Sequence, residues 1–443
     1  MINNFKELVN LSADSKEKIA RRDLLEILES ALAAADPFFL IKNSLKKMDF
    51  SFYRRIFVIG AGKGTFRLAE AAEEILGRRL RGGLIAVPKI LGQKRLKKIK
   101  VIIAGHPLPN AGSVDAGQKT VSLLKKISQG DLVLGLFSGG ASALLCLPLP
   151  GIDLKDKARL NLELLRSGAP IEEINAVRKH LSQIKGGRLA ELLPPRACLK
   201  AFYLSDVVGG DISTIASGPT APDKSTFAEA IDILKKYNLW QKTPLAIKKH
   251  LEKGKNGLAP ETPKKAFPQV ENFIIGNHET LARAALLKAK QIGYAAKILS
   301  AKMKGATEKV GESLIKKLHR RSAKLKTKKF ILIAAGETTF KVTTGNPGGR
   351  NQQMGLAALP WLKKGDFFLA FDSDGVDGVG KEKVGGVLLD ASLKRKTKLL
   401  KLNPQKFLKE NDSYRFFKKI GGQIKTGFVG TNLGDIVILM RRC

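Results

Sequence analysis

Short apolar runs alternate with amphipathic helical segments along most of this chain, and the alternation constrains the fold more than any other feature. An apolar core of four to six residues recurs, for example within RIFVIGAG, DLVLGLFSGG and DFFLAFDSDGVDG. A continuous apolar run of this length is typical of a strand that is buried on both faces. The pattern therefore predicts an α/β fold in which the sheets are mostly parallel.

A proline-rich segment over residues 253–269 interrupts the alternation. It contains Pro260, Pro263 and Pro268 and has no periodicity, which is typical of a linker or a long crossing loop. We therefore predict two α/β domains, over residues 1–262 and 263–443. Because glycine loops and carboxylates follow strands on both sides of this boundary, we expect the active site in a cleft between the domains.

The charge of the chain is strongly unbalanced, with 78 Lys and Arg against 40 Asp and Glu and a net charge of +38. Such a charge attracts nucleic acid at low salt. However, the basic residues are spread along helix-like segments and aromatic residues are few, so we expect no specific nucleic-acid site. The three cysteines are too few for a disulfide framework or a zinc cluster.

The start of the chain does not resemble a signal peptide, and no apolar run approaches the roughly 20 residues that a membrane helix needs. We therefore expect a soluble, cytoplasmic protein that does not bind a membrane.

The stretch VIGAGKGTF places Lys63 on a glycine turn between a strand and a helix. A dinucleotide fingerprint would need glycine at position 65, which is Thr65, and a Walker A loop would need Ser or Thr where Gly64 follows the lysine. A lysine beside the amide groups at a helix N-terminus predicts a site for a phosphate or a carboxylate. A plain helix-start turn with an exposed lysine stays an alternative.

A second glycine turn, Ser138-Gly139-Gly140, also joins a strand to a helix. Its backbone amide groups could form a concave anion site, with the serine hydroxyl nearby. It does not match the Gly-x-Ser-x-Gly pattern of a hydrolase nucleophile. A plain strand-to-helix turn remains the alternative for this stretch.

The stretch KVTTGNPGGRNQQ brings Gly345, Gly348 and Gly349 in front of Arg350. This glycine content predicts a loop with unusual backbone angles. The helix that follows should begin near Asn351, and its first amide groups together with Arg350 predict a site for an external anion.

Carboxylates follow several of the predicted strands. They are Asp206 after one strand, Glu337 after another, and Asp372, Asp374 and Asp377 in the loop DSDGVDG. Hard oxygen ligands at strand ends, close to isolated cations, suit Mg²⁺-assisted phosphoryl transfer. Taken one at a time, each acid could instead cap a helix or form a turn.

Nine stretches in this order resemble the glycerate 2-kinase family, whose C-terminal half is the MOFRL domain. Together they span roughly residues 56 to 440. The stretches are GAGKGT, AGHPLPN, FSGGASALL, NAVRKHLSQIKGGRLA, SDVVGGDISTIASGPTAPD, GNHETLARAAL, GETTFKVTTGNPGGRNQQ, FDSDGVDG and TGFVGTNLGDI.

The resemblance implies an ATP- and Mg²⁺-dependent kinase that converts D-glycerate to 2-phosphoglycerate. It implies a Rossmann-like N-terminal domain and a three-layer α/β C-terminal domain, and it leaves a homodimer open. The family positions fall on Lys63, Arg350, Asp206, Glu337, Asp374 or Asp377, and Asn432.

From the resemblance we expect Lys63 and Arg350 to stabilise phosphoryl or carboxylate oxygens and Asp206 to act as general base or Mg²⁺ anchor. We expect metal ligands among Glu337, Asp374 and Asp377. Substrate or nucleotide contacts are expected from Ser138, Gly139, Gly140, Gly348, Gly349 and Asn432. Replacing Lys63 or Arg350 by Ala should lower turnover far more than stability.

Two other functions remain open. Relatives of this family have been labelled hydroxypyruvate reductases, which would need a bound dinucleotide, and Thr65 in the failed fingerprint argues against that. A basic nucleic-acid-binding protein would explain the net charge of +38 but not the carboxylates at strand ends.

Overall fold

The structure is a computed structural model that describes residues 1–88, 95–207, 209–323 and 329–442. Its helices are α1 (Phe5–Asn10), α2 (Ser15–Ala34), α3 (Pro37–Leu45), α4 (Thr65–Leu76), α5 (Ala111–Leu124), α6 (Ala141–Leu144), α7 (Leu154–Arg166), α8 (Ile171–His180), α9 (Arg188–Glu191), α10 (Phe227–Lys236), α11 (Leu245–Lys255), α12 (His278–Gln291), α13 (Thr307–Ser322), α14 (Arg350–Ala358), α15 (Ala391–Leu399), α16 (Pro404–Lys409) and α17 (Ser413–Ile420). Its strands are β1 (Ile56–Ala61), β2 (Leu80–Val87), β3 (Ile99–Ile103), β4 (Leu132–Phe137), β5 (Cys198–Leu204), β6 (Val270–Gly276), β7 (Ala295–Met303), β8 (Lys329–Gly336), β9 (Asp366–Asp372), β10 (Gly386–Asp390), β11 (Gln423–Ile424) and β12 (Asp435–Arg442).

The chain forms two compact units, which we describe one at a time. The central unit contains Pro37–Leu204 and Gly210–Ile275. The terminal unit contains Met1–Asp36, Ser205–Gly209 and Gly276–Cys443, and so includes both ends of the chain. Each unit is built on one six-stranded sheet with helices, which confirms the predicted α/β class.

The sheet of the central unit has the strand order β3-β2-β1-β4-β5-β6. The pairs from β3 to β5 are parallel. This is the order of a doubly wound, Rossmann-like sheet, in which the order of successive strands changes direction between β1 and β4 although the two strands are parallel. The loops that follow β1 and β4 therefore emerge side by side, at the edge where such sheets bind ligands.

The sheet of the terminal unit has the order β11-β10-β9-β12-β8-β7 and is mixed. β7 and β8 pair in parallel, whereas β12 runs antiparallel to both β8 and β9, and β10 runs antiparallel to β9 and β11. The prediction of mostly parallel strands is therefore wrong for this unit. A fully apolar run indicates burial on both faces but carries no information about strand direction.

The first 36 residues belong to the terminal unit. The last point at which the chain passes from the central unit to the terminal unit lies between Ile275 and Gly276. The predicted boundary at 262/263 differs from this division at both places. Arg21 of α2 supplies a physical reason, because its Nε donates to Asp390 Oδ2 at 2.8 Å and its Nη1 to Leu8 O at 3.0 Å. Both charged side chains are fully buried, so separating them would leave an uncompensated charge.

Each unit has its own apolar core. In the central unit one cluster joins α7, α8, α10 and α11 around residues such as Leu164 and Phe227. In the terminal unit a larger cluster surrounds Leu332, Phe368 and Val437 of the sheet. Each fully buried side chain of this size contributes about 1.5–3 kcal/mol. Within the described ranges, no helix combines the length and apolarity that crossing a membrane requires.

Candidate active site

Arg350 lies at the centre of a group of carboxylates in the terminal unit. It is the first residue of α14, and its Nη2 lies 3.2 Å from Asp372 Oδ2 and 3.2 Å from Asp435 Oδ1. Its Nη1 donates to Glu337 Oε1. The anions that contact this arginine are therefore carboxylates of the chain itself, so the expectation of an external anion at Arg350 has no support from these contacts.

The strand directions explain why these carboxylates meet. Glu337 follows β8 and Asp372 ends β9, whereas Asp435 begins β12. Because β12 is antiparallel to both neighbours, its first residue lies opposite Gly336 and Asp372. Sequence reasoning missed Asp435, since it looked only for acids after strands.

Burial and like charge act together on Asp372 and Asp435. Burial, with Asp374 and Asp435 nearby, raises the pKa of Asp372 well above its ordinary value. Burial also raises the pKa of Asp435 to about 7, although Arg350 and a hydrogen bond from Asn351 oppose the rise. Asp435 therefore gains or loses its proton near neutral pH.

The same carboxylates fix the charge of Arg350. Burial alone would lower the pKa of the guanidinium, but Asp435, Glu337 and Asp372 outweigh burial and raise that pKa. One cation faces three carboxylates, so the surroundings of Arg350 attract cations rather than anions.

Asp377 has a structural position that differs from its predicted role as a metal ligand. Its Oδ1 accepts from the amide of Asn351 at 2.9 Å, and its Oδ2 accepts from the amide of Gln352 at 2.8 Å. Burial raises the pKa of Asp377, and these amide hydrogen bonds oppose the rise. Asp377 thus satisfies the first amide groups of α14, which the sequence had assigned to an external anion. Asp377 is therefore not among the metal ligands that we propose.

Two of the glycines before Arg350, Gly348 and Gly349, are required for close packing, whereas nothing lies within 4 Å of a Cβ built on Gly345. None of Gly345, Gly348 and Gly349 has a positive φ. A Cβ on Gly349 would lie 2.1 Å from the carbonyl oxygen of Asp377, and one on Gly348 would lie 2.4 Å from Ser413 Oγ. The prediction of unusual backbone angles is therefore wrong for these three glycines, and Gly349 lets the Asp377 loop approach α14.

Asp206 and Asn432, which the sequence identified separately, are in contact. Asn432 Nδ2 donates to Asp206 Oδ2 at 2.7 Å. The next residue, Leu433, is held by its amide, which donates to Ser373 Oγ at 2.8 Å. The predicted metal ligand Asp374 directly follows Ser373 in the chain, and its Oδ1 accepts from the amide of Val376 at 2.8 Å. The Asn432 loop is thus anchored to the loop that carries Asp374.

His278 is a polar residue of this region that sequence reasoning did not select. It begins α12, whose N-cap Asn277 accepts from the amides of Glu279 and Thr280. Burial lowers the pKa of His278, an effect that Glu337 opposes and Arg350 reinforces. Its Nε2 is buried and has no hydrogen-bond partner among the described residues. The sequence carried a signal that could have selected it, because His278 begins a helix that is capped by Asn277 directly after the strand β6.

The turn that carries Lys63 belongs to the central unit and is internally bonded. The amide of Lys63 donates to Gly139 O at 2.9 Å, and the amide of Gly64 donates to Ser138 Oγ at 2.9 Å. The amides of Gly62 and Thr65 also have backbone acceptors. The amides of residues 62 to 65 are therefore bonded within the protein, and the half-buried Lys63 side chain is the part of the predicted anion site that these contacts leave in place.

The Ser138-Gly139-Gly140 turn supports the Lys63 turn from the neighbouring strand. Ser138 is buried, and its Oγ lies 3.2 Å from Thr65 Oγ1, so this hydroxyl braces the two turns. Gly140 has φ of +87°, and a Cβ on it would lie 2.8 Å from the His106 ring and 3.6 Å from Lys63 Cγ. Of the three, Gly140 alone lines a described cavity, which also contacts His106.

The carboxylates around Arg350 are candidate ligands for a Mg²⁺ ion. Among the described residues, no group of three or more His, Cys, Asp or Glu side chains is arranged to hold a metal by itself. However, Asp435 Oδ2 is buried without a described partner, and the group supplies only hard oxygen donors. This donor set fits a Mg²⁺ ion that takes one or two carboxylates from the protein and its other ligands from phosphate and water.

Comparisons with known proteins agree along nearly the whole chain. Residues 23–252 match the model of the Domain of unknown function (DUF4147), and residues 330–435 match the MOFRL family. A glycerate 2-kinase of Pyrococcus horikoshii is 36% identical over 94% of this chain and 96% of its own length. A crystal structure of glycerate kinase from Thermotoga maritima has a TM-score of 0.85 at 34% identity and covers 96% of this chain and 100% of its own.

One relative has a different name. A protein of Agrobacterium vitis that is named as a hydroxypyruvate reductase is 33% identical over 94% of this chain and 93% of its own length. It is less similar than the Pyrococcus kinase, at 33% against 36% identity. The chain belongs to the glycerate 2-kinase family.

Proposed function

We propose that this chain transfers the terminal phosphoryl group of ATP to the 2-hydroxyl of D-glycerate, with Mg²⁺, and releases ADP and 2-phosphoglycerate. Family membership gives the reaction class. The structural observation that carries the proposal is the group of carboxylates around Arg350, at strand ends of the terminal sheet. Such a group suits a metal-bound nucleotide better than a bare anion.

In this proposal one or two of the carboxylates of Glu337, Asp374 and Asp435 would hold Mg²⁺, and phosphate and water would supply its other ligands. Bound with the nucleotide, Mg²⁺ neutralises charge on the phosphate oxygens. Arg350 holds the carboxylates close together, because it contacts Glu337, Asp372 and Asp435 at once, and it opposes the rise in the pKa of Asp372 and of Asp435. Arg350 therefore positions the acids, and its charge is shared among them before any substrate binds.

Asp206 is the proposed general base. It accepts the proton of the 2-hydroxyl as that oxygen bonds to the transferred phosphorus and the bond from phosphorus to ADP breaks. Asn432 Nδ2, 2.7 Å from Asp206 Oδ2, fixes the orientation of the carboxylate. Lys63 supplies a positive charge to phosphoryl oxygens, a function that a side chain on a rigid, internally bonded turn can perform with little reorganisation.

The test is ADP release by the purified protein with Mg²⁺-ATP, with and without D-glycerate, and identification of the product by ³¹P NMR. We expect ADP release that depends on glycerate and a product with its phosphate on the 2-hydroxyl. Phosphate on the 3-hydroxyl would refute the position of transfer, and no ADP above the glycerate-free control would refute the activity.

A second candidate, hydroxypyruvate reduction with NADH or NADPH, follows from the name of the Agrobacterium vitis relative and from the doubly wound sheet order. Thr65 argues against it, because it occupies the third glycine position and its Oγ1 donates to Leu136 O at 3.3 Å. Oxidation of NADH by hydroxypyruvate at a rate comparable to glycerate-dependent ADP release would favour the reductase.

We further propose that the protein acts in the cytoplasm, where ATP is available, and that it has no specific nucleic-acid partner. The carboxylates around Arg350 would repel a phosphate backbone. A gel shift that disappears at modest salt would fit nonspecific attraction to the net charge of +38, whereas a salt-resistant, sequence-dependent shift would contradict this proposal.

A further inference from the structure

A cavity in the central unit collects buried cations that the proposed chemistry has not yet used. It lies near the carboxyl edge of the central sheet, has a volume of about 170 Å³ and is lined by Lys157, Arg178 and Lys185 together with His106 and Gly140. Lys157 and Lys185 are buried, and Arg178 is half-buried. No Asp or Glu is among the described residues that line it.

The polar partners of these three cations are neutral. Lys157 Nζ donates to Leu181 O at 2.6 Å, and Lys185 Nζ donates to Ser142 O at 2.9 Å. Arg178 Nε donates to Asn161 Oδ1 at 3.3 Å. Within the described part of the chain, none of the three forms a salt bridge, so their charges are held beside the cavity without a carboxylate to balance them.

Burial is the leading cause of the low basicity of these groups. It lowers the pKa of Lys185 to about 7, and Lys157 and Arg178 lower it further while Cys146 opposes them. Burial also lowers the pKa of Lys157 and of Arg178. An anion in the cavity would remove this penalty, because it would replace like-charge repulsion by attraction in surroundings that screen charges weakly.

We propose that this cavity binds the carboxylate of a small hydroxy acid, which, if the proposed kinase function holds, is D-glycerate. The planar fork of Arg178 suits a carboxylate, and the lysine charges suit its remaining oxygens. The volume of about 170 Å³ suits a three-carbon acid and is too small for a nucleotide. Gly140 brings one side of the cavity close to His106 and to the stem of Lys63.

The test measures binding without turnover. Thermal unfolding midpoints are recorded at rising D-glycerate, with no nucleotide, for the wild type, Lys185→Met, Arg178→Lys and the control Lys155→Met. Lys155 is an exposed lysine of α7, the helix that carries Lys157, and does not line the cavity. Arg178→Lys keeps the charge but removes the fork, so it serves if Lys185→Met does not fold.

We expect D-glycerate to raise the midpoints of the wild type and of Lys155→Met alike. Lys185→Met and Arg178→Lys should each need at least tenfold more glycerate for the same rise. Equal responses in all variants would overturn the proposal. Inorganic phosphate is the comparison ligand: protection by phosphate at lower concentrations than glycerate, lost in Lys185→Met, would overturn the assignment to a carboxylate.

The result does not depend on the kinase reaction. Protection by glycerate that depends on Lys185, in a protein that releases no ADP with glycerate, would keep this site and refute the proposed function. Glycerate-dependent ADP release with the same KM for glycerate in Lys185→Met and in the wild type would keep the proposed function and refute this site.

Discussion

The two units of this chain hold opposite arrangements of charge. Around Arg350, one cation is surrounded by Glu337, Asp372 and Asp435. Around Lys185, buried cations have only neutral oxygen partners. The first arrangement suits a cation such as Mg²⁺ and the second suits an anion. The comparison teaches that neither the arginine nor the lysines can be interpreted from residue type alone, because their neighbours decide which ligand they attract.

The largest expected effect comes from Arg350→Ala. It leaves the three carboxylates without their shared partner, so we expect the free energy of unfolding to fall by about 3–5 kcal/mol, together with loss of turnover. This revises the expectation from sequence that stability would change little. Urea unfolding is the measurement. The control is Arg283→Ala, whose exposed pair with Glu279 should matter by less than about 1 kcal/mol.

Lys63→Met tests the opposite case, a cation whose side chain is proposed to serve chemistry. The backbone of residue 63 makes the turn contacts and is unchanged, so we expect stability to move by less than about 1 kcal/mol. Turnover should fall about 10²–10³-fold, as when a charge-stabilising donor is removed. Lys125→Met, at an exposed position after α5, is the control. Near-normal turnover of Lys63→Met would contradict the assignment.

Asp435→Asn tests whether the acidic group costs stability when it ionises. Asn keeps an oxygen that can accept from Asn351 and Arg350. Because the pKa of Asp435 is raised to about 7 by burial, the native state of the wild type holds this proton more tightly than the unfolded state, and stability falls as the pH rises towards 7. We expect the variant to gain more than about 1 kcal/mol over the wild type above that pH, since one pKa unit is worth about 1.4 kcal/mol.

That gain should shrink towards zero in acid, where the carboxyl is protonated in both states. Urea unfolding across this range gives the comparison. A difference between variant and wild type that is the same at every pH would contradict the raised pKa.

Lys185→Met tests the basic cavity, and its pH dependence has the opposite sign. The pKa of Lys185 is lowered from 10.5 to about 7 by burial, beside Lys157, Arg178 and Cys146. The unfolded state therefore binds more protons between these values, and wild-type stability rises with pH across that window. We expect the variant to be more stable by about 1 kcal/mol or more near pH 7, and the difference to vanish above pH 10.5.

A variant that is less stable than the wild type at every pH would mean that the lysine is compensated in the native protein. That result would remove the contrast with Arg350.

The sequence predicted the α/β class and most of the strands because buried apolar runs are a local signal. It also selected Arg350, Glu337, Asp206 and Asn432, and the hydrogen bond from Asn432 to Asp206 shows that loops after separate strands do meet. Strand direction is not a local signal. Asp435 was therefore missed, because it enters the group only through the antiparallel pairing of β12.

Local chemistry could not separate a ligand-binding acid from a capping acid. Asp377 and Asp374 lie three residues apart in one loop, yet Asp377 accepts two amides of α14, a helix that begins 27 residues earlier in the chain. The basic cavity could not be predicted as a cavity, because Arg178 and Lys185 lie in the stretch NAVRKHLSQIKGGRLA whereas Lys157 lies in the preceding helix α7, and the fold brings them together. Only the fold shows that two of them are buried.

The most direct test of the contrast is a matrix of initial rates over D-glycerate and Mg²⁺-ATP for the wild type, Asp435→Asn and Lys185→Met. The account predicts that Asp435→Asn raises the KM for Mg²⁺-ATP and leaves the KM for glycerate unchanged, while Lys185→Met raises the KM for glycerate at least tenfold and leaves that for Mg²⁺-ATP unchanged. The account would be contradicted if both variants raised the same KM, or if Asp435→Asn raised the KM for glycerate and Lys185→Met raised the KM for Mg²⁺-ATP. Either result would show that the acidic group does not serve the nucleotide metal and that the basic cavity does not serve the acid substrate.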